Sequence, residues 1–504
     1  MKKNLGTNMT ALTLLAALAI PIQLAAQDKR DHAAELHHYQ LADMGTFGGP
    51  NVSLAVEPIA QIVNHQGTAV GEADTTTPNP YYPNGNPFVG GDAYVGHAFS
   101  WQQGVLSDLG TLPGGLNSGA DWINNAGVVV GISENGEIDP LLGFPEGIAV
   151  LWKDGKIISL GTLDGGYESV ANAVNDRGQV VGPALNTIPD PYSMLGLGTQ
   201  TRGFLWENGV MRDLGTLGGP DAFAIYVNDQ GQVAGSSYVN STPNSADTCG
   251  YIPTQDPFLW EGGKMIDLGT LGGVCGFANG LNNRGEVVGQ SDLSGDVYFH
   301  PFLWTKSGGM RDLGTLGGDY ASASWLNDAG EVVGWSALKE GSADHAFLWR
   351  EGVMTDLGGI EGFPCSNANA INSSGQIVGA AYSAESDCAV EHAVLWQDGQ
   401  AIDLNVFVPL DSGLLLEEAD FINDRGEIIG YALLPNGDEH AFLLIPCDEN
   451  HPGIDGCDYS MVDATVATSR PSPLVCDESN RASPPSPLHR INRYHLPSHT
   501  RPIS

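Results

Sequence analysis

Positive charge is scarce in this chain: 21 Lys and Arg stand against 59 Asp and Glu, for a formal net charge of −38. Such a surface repels phosphate backbones and anionic lipid, which excludes nucleic acid and membrane surfaces as partners. Long apolar runs are scarce as well. One run, Leu12 to Ile20, lies behind Lys2 and Lys3 and ahead of Leu24-Ala25-Ala26, the layout of a Sec signal peptide cleaved after Ala26. It is too short to span a bilayer, and no later stretch is long enough. No Cys follows the expected cut, which disfavours a lipoprotein, and loss of Lys2 and Lys3 takes the mature net charge to −40. C-x-x-C, G-x-S-x-G, H-E-x-x-H and Walker motifs are missing. Their absence removes the familiar zinc, nucleophile-elbow and nucleotide sites, but not an enzyme whose site is gathered from scattered residues.

What the chain has is glycine, 67 residues of it, within a unit written eight times. The first landmark is an aromatic strand ending at Trp101, Trp152, Trp206, Trp260, Trp304, Trp349 and Trp396, with Leu444 in the eighth copy. The second is Asp-Leu-Gly or a near variant, at Asp43, Asp108, Asp213, Asp267, Asp312, Asp356 and Asp403, with Ser159 in one copy. The third is Asn-x-x-Gly-x-Val-x-Gly or a near variant, from Asn64, Asn124, Asn175, Asn228, Asn282, Asn327, Asn372 and Asn423. A period of roughly 45–65 residues belongs to propeller-like repeats.

Spacing predicts how the unit folds. The first and second landmarks keep an almost fixed distance, as do the Asn and closing Gly of the third. The gap from that Gly to the next Trp position varies widely, from Gly430–Leu444 to Gly71–Trp101. Fixed spacings mark hairpins and the variable one a surface loop. Asp154-Gly155, Asn208-Gly209, Gly262-Gly263 and Asp398-Gly399 suit type I′ turns. Each unit therefore reads as four strands of about five residues: a, ending near the Asn; b, Val-Val-Gly; c, ending at the Trp; and d, Asp-Leu-Gly. The chain opens on a lone d strand (39–45) and closes on a lone c strand (440–445). In a ring these two pair and leave no free edge. The expected fold is all-β, an eight-bladed β-propeller of four-stranded antiparallel blades, closed by the N-terminal strand joining the last blade.

The expected organisation is a signal peptide at 1–26, a polar lead-in at 27–38, the propeller at 39–446, a small disulfide-closed extension at 447–467 and a disordered tail at 468–504. The tail is rich in Pro and Ser. Seven Cys in an exported chain point to disulfides. In a four-strand blade the b–c loop and the d–a crossover share a face, which suggests Cys249–Cys275 and Cys365–Cys388. Cys447–Cys457 closes a short loop, and Cys476 is left over.

The HAFLW of His345 to Trp349, the DLGTLGG of Asp312 to Gly318 and the INxxGxVVG motif around Asn327 to Gly334 resemble the bacterial extracellular HAF repeat. The resemblance covers about residues 39–445. It implies export and a repeat scaffold, and it carries over no catalytic residue. The chain departs from the motif at Ser159, Gly359 and Leu444.

Residues recurring in every blade read as structure, the seven Trp as core between blades. His97, His300, His345, His392 and His440 open strand c, where a strand-end hydrogen bond is expected, and the Asp of Asp-Leu-Gly is expected to cap its own turn. The repeated Asn-Asp-x-Gly turns lack the oxygen ligands of a Ca²⁺ site in one loop, so neither metal nor cofactor is expected, Ca²⁺ being the one candidate. Function is expected where the pattern breaks: in the Glu72–Gly96 insertion, whose Tyr81, Tyr82 and Tyr94 suit contact with a sugar. The reading is a monomeric secreted or periplasmic scaffold that binds a glycan or cell-surface protein through its loop-rich face. The alternative is a lyase or hydrolase acting on extracellular polysaccharide at the channel mouth.

Overall fold

The structure, a computed structural model, describes residues 35–54, 60–82, 93–246, 249–250, 252–339, 343–383 and 390–463. The expected signal peptide and tail lie outside them. Strands form eight four-stranded antiparallel blades, each running a-b-c-d from the axis outward. Blade 2 is representative: Ser118–Ile123, Val129–Ile138, Pro145–Lys153 and Lys156–Gly161. In the eighth sheet, strands Leu415–Ile422, Ile428–Leu433 and Glu439–Pro446 take Tyr39–Asp43 as their fourth member, in register from Tyr39↔Pro446 to Asp43↔Phe442. Blades 4 and 5 merge into one sheet through a parallel bridge, Gln255↔Cys275.

Turn chemistry fixes the strands. Six c–d hairpins hold both central residues at positive φ, as in Asp154 (52°) and Gly155 (69°), the requirement of a type I′ turn. Gln103 (50°) and Glu351 (50°) adopt the same conformation without a residue suited to it. The Gly closing Val-Val-Gly lies against a bulge in strand a, where a Cβ on Gly131 would overlap the Gly119 carbonyl; close approach of two backbones dictates the residue. The aromatic positions of strand c supply the core. Phe99, Phe204, Phe258, Phe302, Phe347 and Phe442 are fully buried, and Trp101, Trp152, Trp304, Trp349 and Trp396 are buried beside them. Trp206 and Trp260 are half-buried.

One feature of the sequence, the Asn of each a–b turn, proves to join the blades. Asn228 Oδ1 accepts from Gln230 N and Gln232 N of its own turn, while its Nδ2 donates to Asn282 O of the next blade at 2.9 Å. The same donation runs from Asn64 to Asn124, on to Asn175, Asn228, Asn282, Asn327, Asn372 and Asn423. Asn423 Nδ2 then donates to Asn64 O at 3.0 Å, returning the circle to the first blade.

One sequence expectation needs correction. Strands b and c of blades 1–4 are not about five residues long; they run nine to eleven, as in Ala69–Pro78 with Tyr94–Gln102 and Val233–Pro243 with Pro253–Glu261. Pairing resumes beyond a register shift, at Pro78↔Tyr94 and Pro243↔Pro253. Much of the Glu72–Gly96 insertion is therefore hairpin. Outside the ring, Glu35–His37 pairs with Met461–Asp463, which ties the lead-in to the extension.

Candidate functional site

The axis of the ring carries a two-blade rhythm. Two residues before the turn Asn, blades 2, 4, 6 and 8 place Trp122, Tyr226, Trp325 and Phe421, and blades 1, 3, 5 and 7 place Ile62, Ala173, Gly280 and Ala370. The rings of Trp122 and Tyr226 approach to 6.3 Å, and those of Tyr226 and Trp325 to 5.6 Å, although each pair comes from blades that are not neighbours. Such contacts cross the axis, so aromatic side chains fill the channel at this level. Ala173, Gly280 and Ala370 in intervening blades make room, and a Cβ on Gly280 would press on Leu326 and Val288 at 3.0 Å. Toward the loop side, Asn369 Nδ2 donates to Glu418 Oε1 at 2.9 Å and to Ala419 O at 3.1 Å.

On the loop-rich face the five junctions from blades 1–2 to blades 5–6 each use their own link. At each of them the residue seven before the turn Asn fastens strand a to strand c or the b–c loop of the preceding blade. Between blades 1 and 2, Asn79 Nδ2 donates to Asn117 Oδ1 at 3.1 Å, and Asn117 Nδ2 to Glu134 Oε1 at 2.7 Å. Between blades 2 and 3, Gly147 N donates to Glu168 Oε2 at 2.7 Å. Burial pushes the Glu168 carboxyl up to about 8; the Gly147 bond opposes this, and the charges of Asp139, Glu146 and Glu134 add to it. Between blades 3 and 4 the residues are Asp190 and Asp221, and between blades 4 and 5 a disulfide, Cys249–Cys275. Between blades 5 and 6 the link is aromatic: Tyr320 meets Tyr298 at 5.5 Å and Phe299 at 5.1 Å, and Phe299 meets Trp335 at 6.1 Å.

The expected contact residues divide. Tyr81 and Tyr94 are 45% and 37% exposed, whereas Tyr82 is buried against Phe144 at 5.5 Å. Tyr82 therefore supports the hairpin and presents no ring to solvent. The centre of that loop, with Phe88, lies outside the described residues. Tyr298 and Tyr320, 40% and 37% exposed, join the same face. Sequence reasoning missed them because blades 5 and 6 look compact; the aromatic run Tyr298-Phe299 was their signal.

The strand-c histidines bond the Asp of strand d. His97 Nδ1 lies 2.9 Å from Asp108, and His300, His345, His392 and His440 pair alike with Asp312, Asp356, Asp403 and Asp43. Each Asp also accepts from the turn that follows, as from Gly314 N to Asp312 Oδ1 at 2.7 Å. Blade 3 replaces His with Arg202, which pairs with Asp213 at 3.0 Å. Blade 4 substitutes a second acid: burial, then the charge and hydrogen bond of Asp267, push Asp256 up to about 7. Among the described residues, no group of three or more His, Cys, Asp or Glu is placed to hold a metal ion, and no helix is long and apolar enough to cross a membrane.

Cys447–Cys457 closes the extension. Cys365 is a buried free thiol, and Cys388 lies outside the described residues. The extension also brings His451, missed in the sequence, into a buried position 2.7 Å from Asp448 and 3.3 Å from Glu427.

No family model matches the chain, and no curated protein matches it. Among solved structures it is similar to the β-propeller domain of the Trilobed protease from Pyrococcus furiosus, with 10% identity over 74% of this chain and 99% of that one and a TM-score of 0.40. It is also similar to TolB from Acinetobacter baumannii, with 10% identity over 81% and 96% and a TM-score of 0.30. A third is Trypanosoma rangeli sialidase in complex with the inhibitor DANA, with 10% identity over 84% and 90% and a TM-score of 0.28. The strand pairing itself makes this chain an all-β propeller.

Proposed function

We propose that the protein is an exported, monomeric scaffold of HAF-type repeats, working outside the cell or in the periplasm, that binds a glycan through its loop-rich face. The observation that supports this most is where exposed aromatic rings fall. Among the described residues of the ring, the exposed tyrosines Tyr81, Tyr94, Tyr298 and Tyr320 all stand on the loop face, and the turn face has none. Aromatic faces stack on sugar rings, and a net charge of −38 favours neutral or cationic glycans over anionic ones. Loops held by a disulfide and by buried polar links lose little entropy on binding. The aromatic fill of the axis weighs against a substrate passing through the channel. The test is a glycan array run beside a polysaccharide-degradation screen on the mature protein and on Tyr81→Ala/Tyr94→Ala. Binding that weakens at least tenfold in the double variant, with no turnover, supports the reading. Turnover, or binding untouched in both this variant and Tyr298→Ala/Tyr320→Ala, rejects it.

A further inference from the structure

The junction of blades 3 and 4 sets two carboxyl groups against each other without a donor between them. Asp190 begins the blade 3 loop and Asp221 leads into strand a of blade 4 (Ala222–Val227); they are 6% and 0% exposed. One oxygen of each is taken: Tyr192 N donates to Asp190 Oδ1 at 2.8 Å, and Met194 N to Asp221 Oδ2 at 2.7 Å. Asp190 Oδ2 and Asp221 Oδ1 lack a partner if both groups are ionised. The bond from Met194 N, four residues past Asp190, brings the blade 3 loop down onto Asp221, so that two buried carboxyls, each with one oxygen left over, meet at this junction. A proton held between them gives one a donor and the other a use for its lone pair, and removes the repulsion of two buried charges.

Among the described residues, the surroundings supply no counter-charge. Tyr238 of strand b in blade 4 donates its hydroxyl to Tyr192 O at 3.0 Å. The hydroxyls of Ser193 and Thr201 bond each other at 3.1 Å, and Thr201 Oγ1 accepts from Leu195 N at 3.0 Å. Arg202 is turned toward Asp213 and the Pro220 carbonyl. Met194, Cys249, Ile252 and Cys275 form the apolar wall. The neighbouring junctions favour a direct bond over a bound ion, since Gly147–Glu168 and Cys249–Cys275 make their links without an intermediary.

We propose that Asp190 and Asp221 share one proton and form a latch that holds the blade 3 loop, residues 190–199, on the ring until that proton is lost. Burial, opposed by the Met194 and Thr201 N–H groups and reinforced by Asp190, pushes Asp221 up to about 8. A carboxyl raised in the fold stabilises at low pH, and that contribution is lost as pH rises through the folded value. Release therefore falls in the mildly alkaline range, whether or not the face binds a glycan.

Hydrogen exchange on the intact mature protein between pH 6 and 9, corrected for intrinsic rates, tests this. Protection of peptides covering residues 190–199 should fall about tenfold between pH 7 and 9, while those covering strands of blades 6 and 7 keep theirs. Asp221→Asn, whose amide donates to Asp190 at any pH, should hold protection level, as should the reciprocal Asp190→Asn. Level protection in the wild type, or the wild-type slope in both amide variants, overturns the proposal. So does a latch that opens at pH 7 on adding EDTA and closes with calcium chloride, which would mean that a cation and not a proton joins the pair.

Discussion

The two faces of the ring come from the same eight repeats, yet they are fastened in opposite ways. On the turn face one asparagine makes one bond, donated to the next asparagine's carbonyl, at every junction from Asn64 round to Asn423. On the loop face the five junctions from blades 1–2 to blades 5–6 use an amide pair, a lone glutamate, two aspartates, a disulfide and an aromatic cluster in turn. Uniform fastening is what closing a ring demands, because every junction must turn the chain through the same angle. Varied fastening tolerates loops of different length, and it is there that exposed tyrosines gather. Where the repeat is kept the residues build, and where it lapses they are free to recognise.

The comparison is broken most severely by opening the ring. Deleting residues 27–45 removes the strand Tyr39–Asp43 and strips strand c of blade 8 of its partner. Size-exclusion chromatography and calorimetry should find aggregation or a large loss of melting temperature, and a monomer that melts unchanged would refute the arrangement. Asn228→Ala comes next. It leaves the Gln230 and Gln232 amides and the Asn282 carbonyl without their buried partner, at a cost of about 2–3 kcal/mol in urea denaturation. Equivalent changes at Asn175 or Asn327 should cost the same, whereas truncations at Asn117 and Tyr320 on the other face should differ from one another.

Asp256→His is the smallest change and the only gain. The native carboxyl is pushed up to about 7, so the stability it confers is full below the ordinary carboxylate range and is lost as pH rises from about 4 through 7. Histidine there restores the pairing that five blades already use with the strand-d aspartate. The variant should melt a few degrees higher than the wild type at pH 7.5, with a smaller difference at pH 5. A lower melting temperature at both pH values would show that the blade 4 acid pair is not strained.

Much of the fold was legible because each strand and turn announces itself locally. Asp-Gly and Asn-Gly pairs demanded type I′ turns, the fixed Trp-to-Asp spacing demanded a hairpin, and the structure places both as read. What stayed hidden depends on distance across the ring. Asn was read as a turn residue because its Oδ1 serves its own turn, and nothing local reveals that its Nδ2 reaches the next blade. The alternation of Trp122, Tyr226, Trp325 and Phe421 with Ile62, Ala173, Gly280 and Ala370 has a period of two repeats, so no single repeat displays it. Loop length misled in the opposite sense. Residues after Glu72 were read as insertion because pairing was expected to end with Val-Val-Gly, but it continues past a bulge to Pro78. The same expectation hid Tyr298 and Tyr320, which need no long loop to reach the surface.

The measurement that tests the working-face account most directly is isothermal titration of whichever glycan the array selects, against three folded proteins. These are the wild type, Tyr298→Ala/Tyr320→Ala on the loop face, and Asp176→Ala/Asp229→Ala on the turn face. The account predicts that affinity drops tenfold or more in the tyrosine variant and is unchanged, within twofold, in the aspartate variant. Affinity lost in the aspartate variant and kept in the tyrosine variant would contradict it.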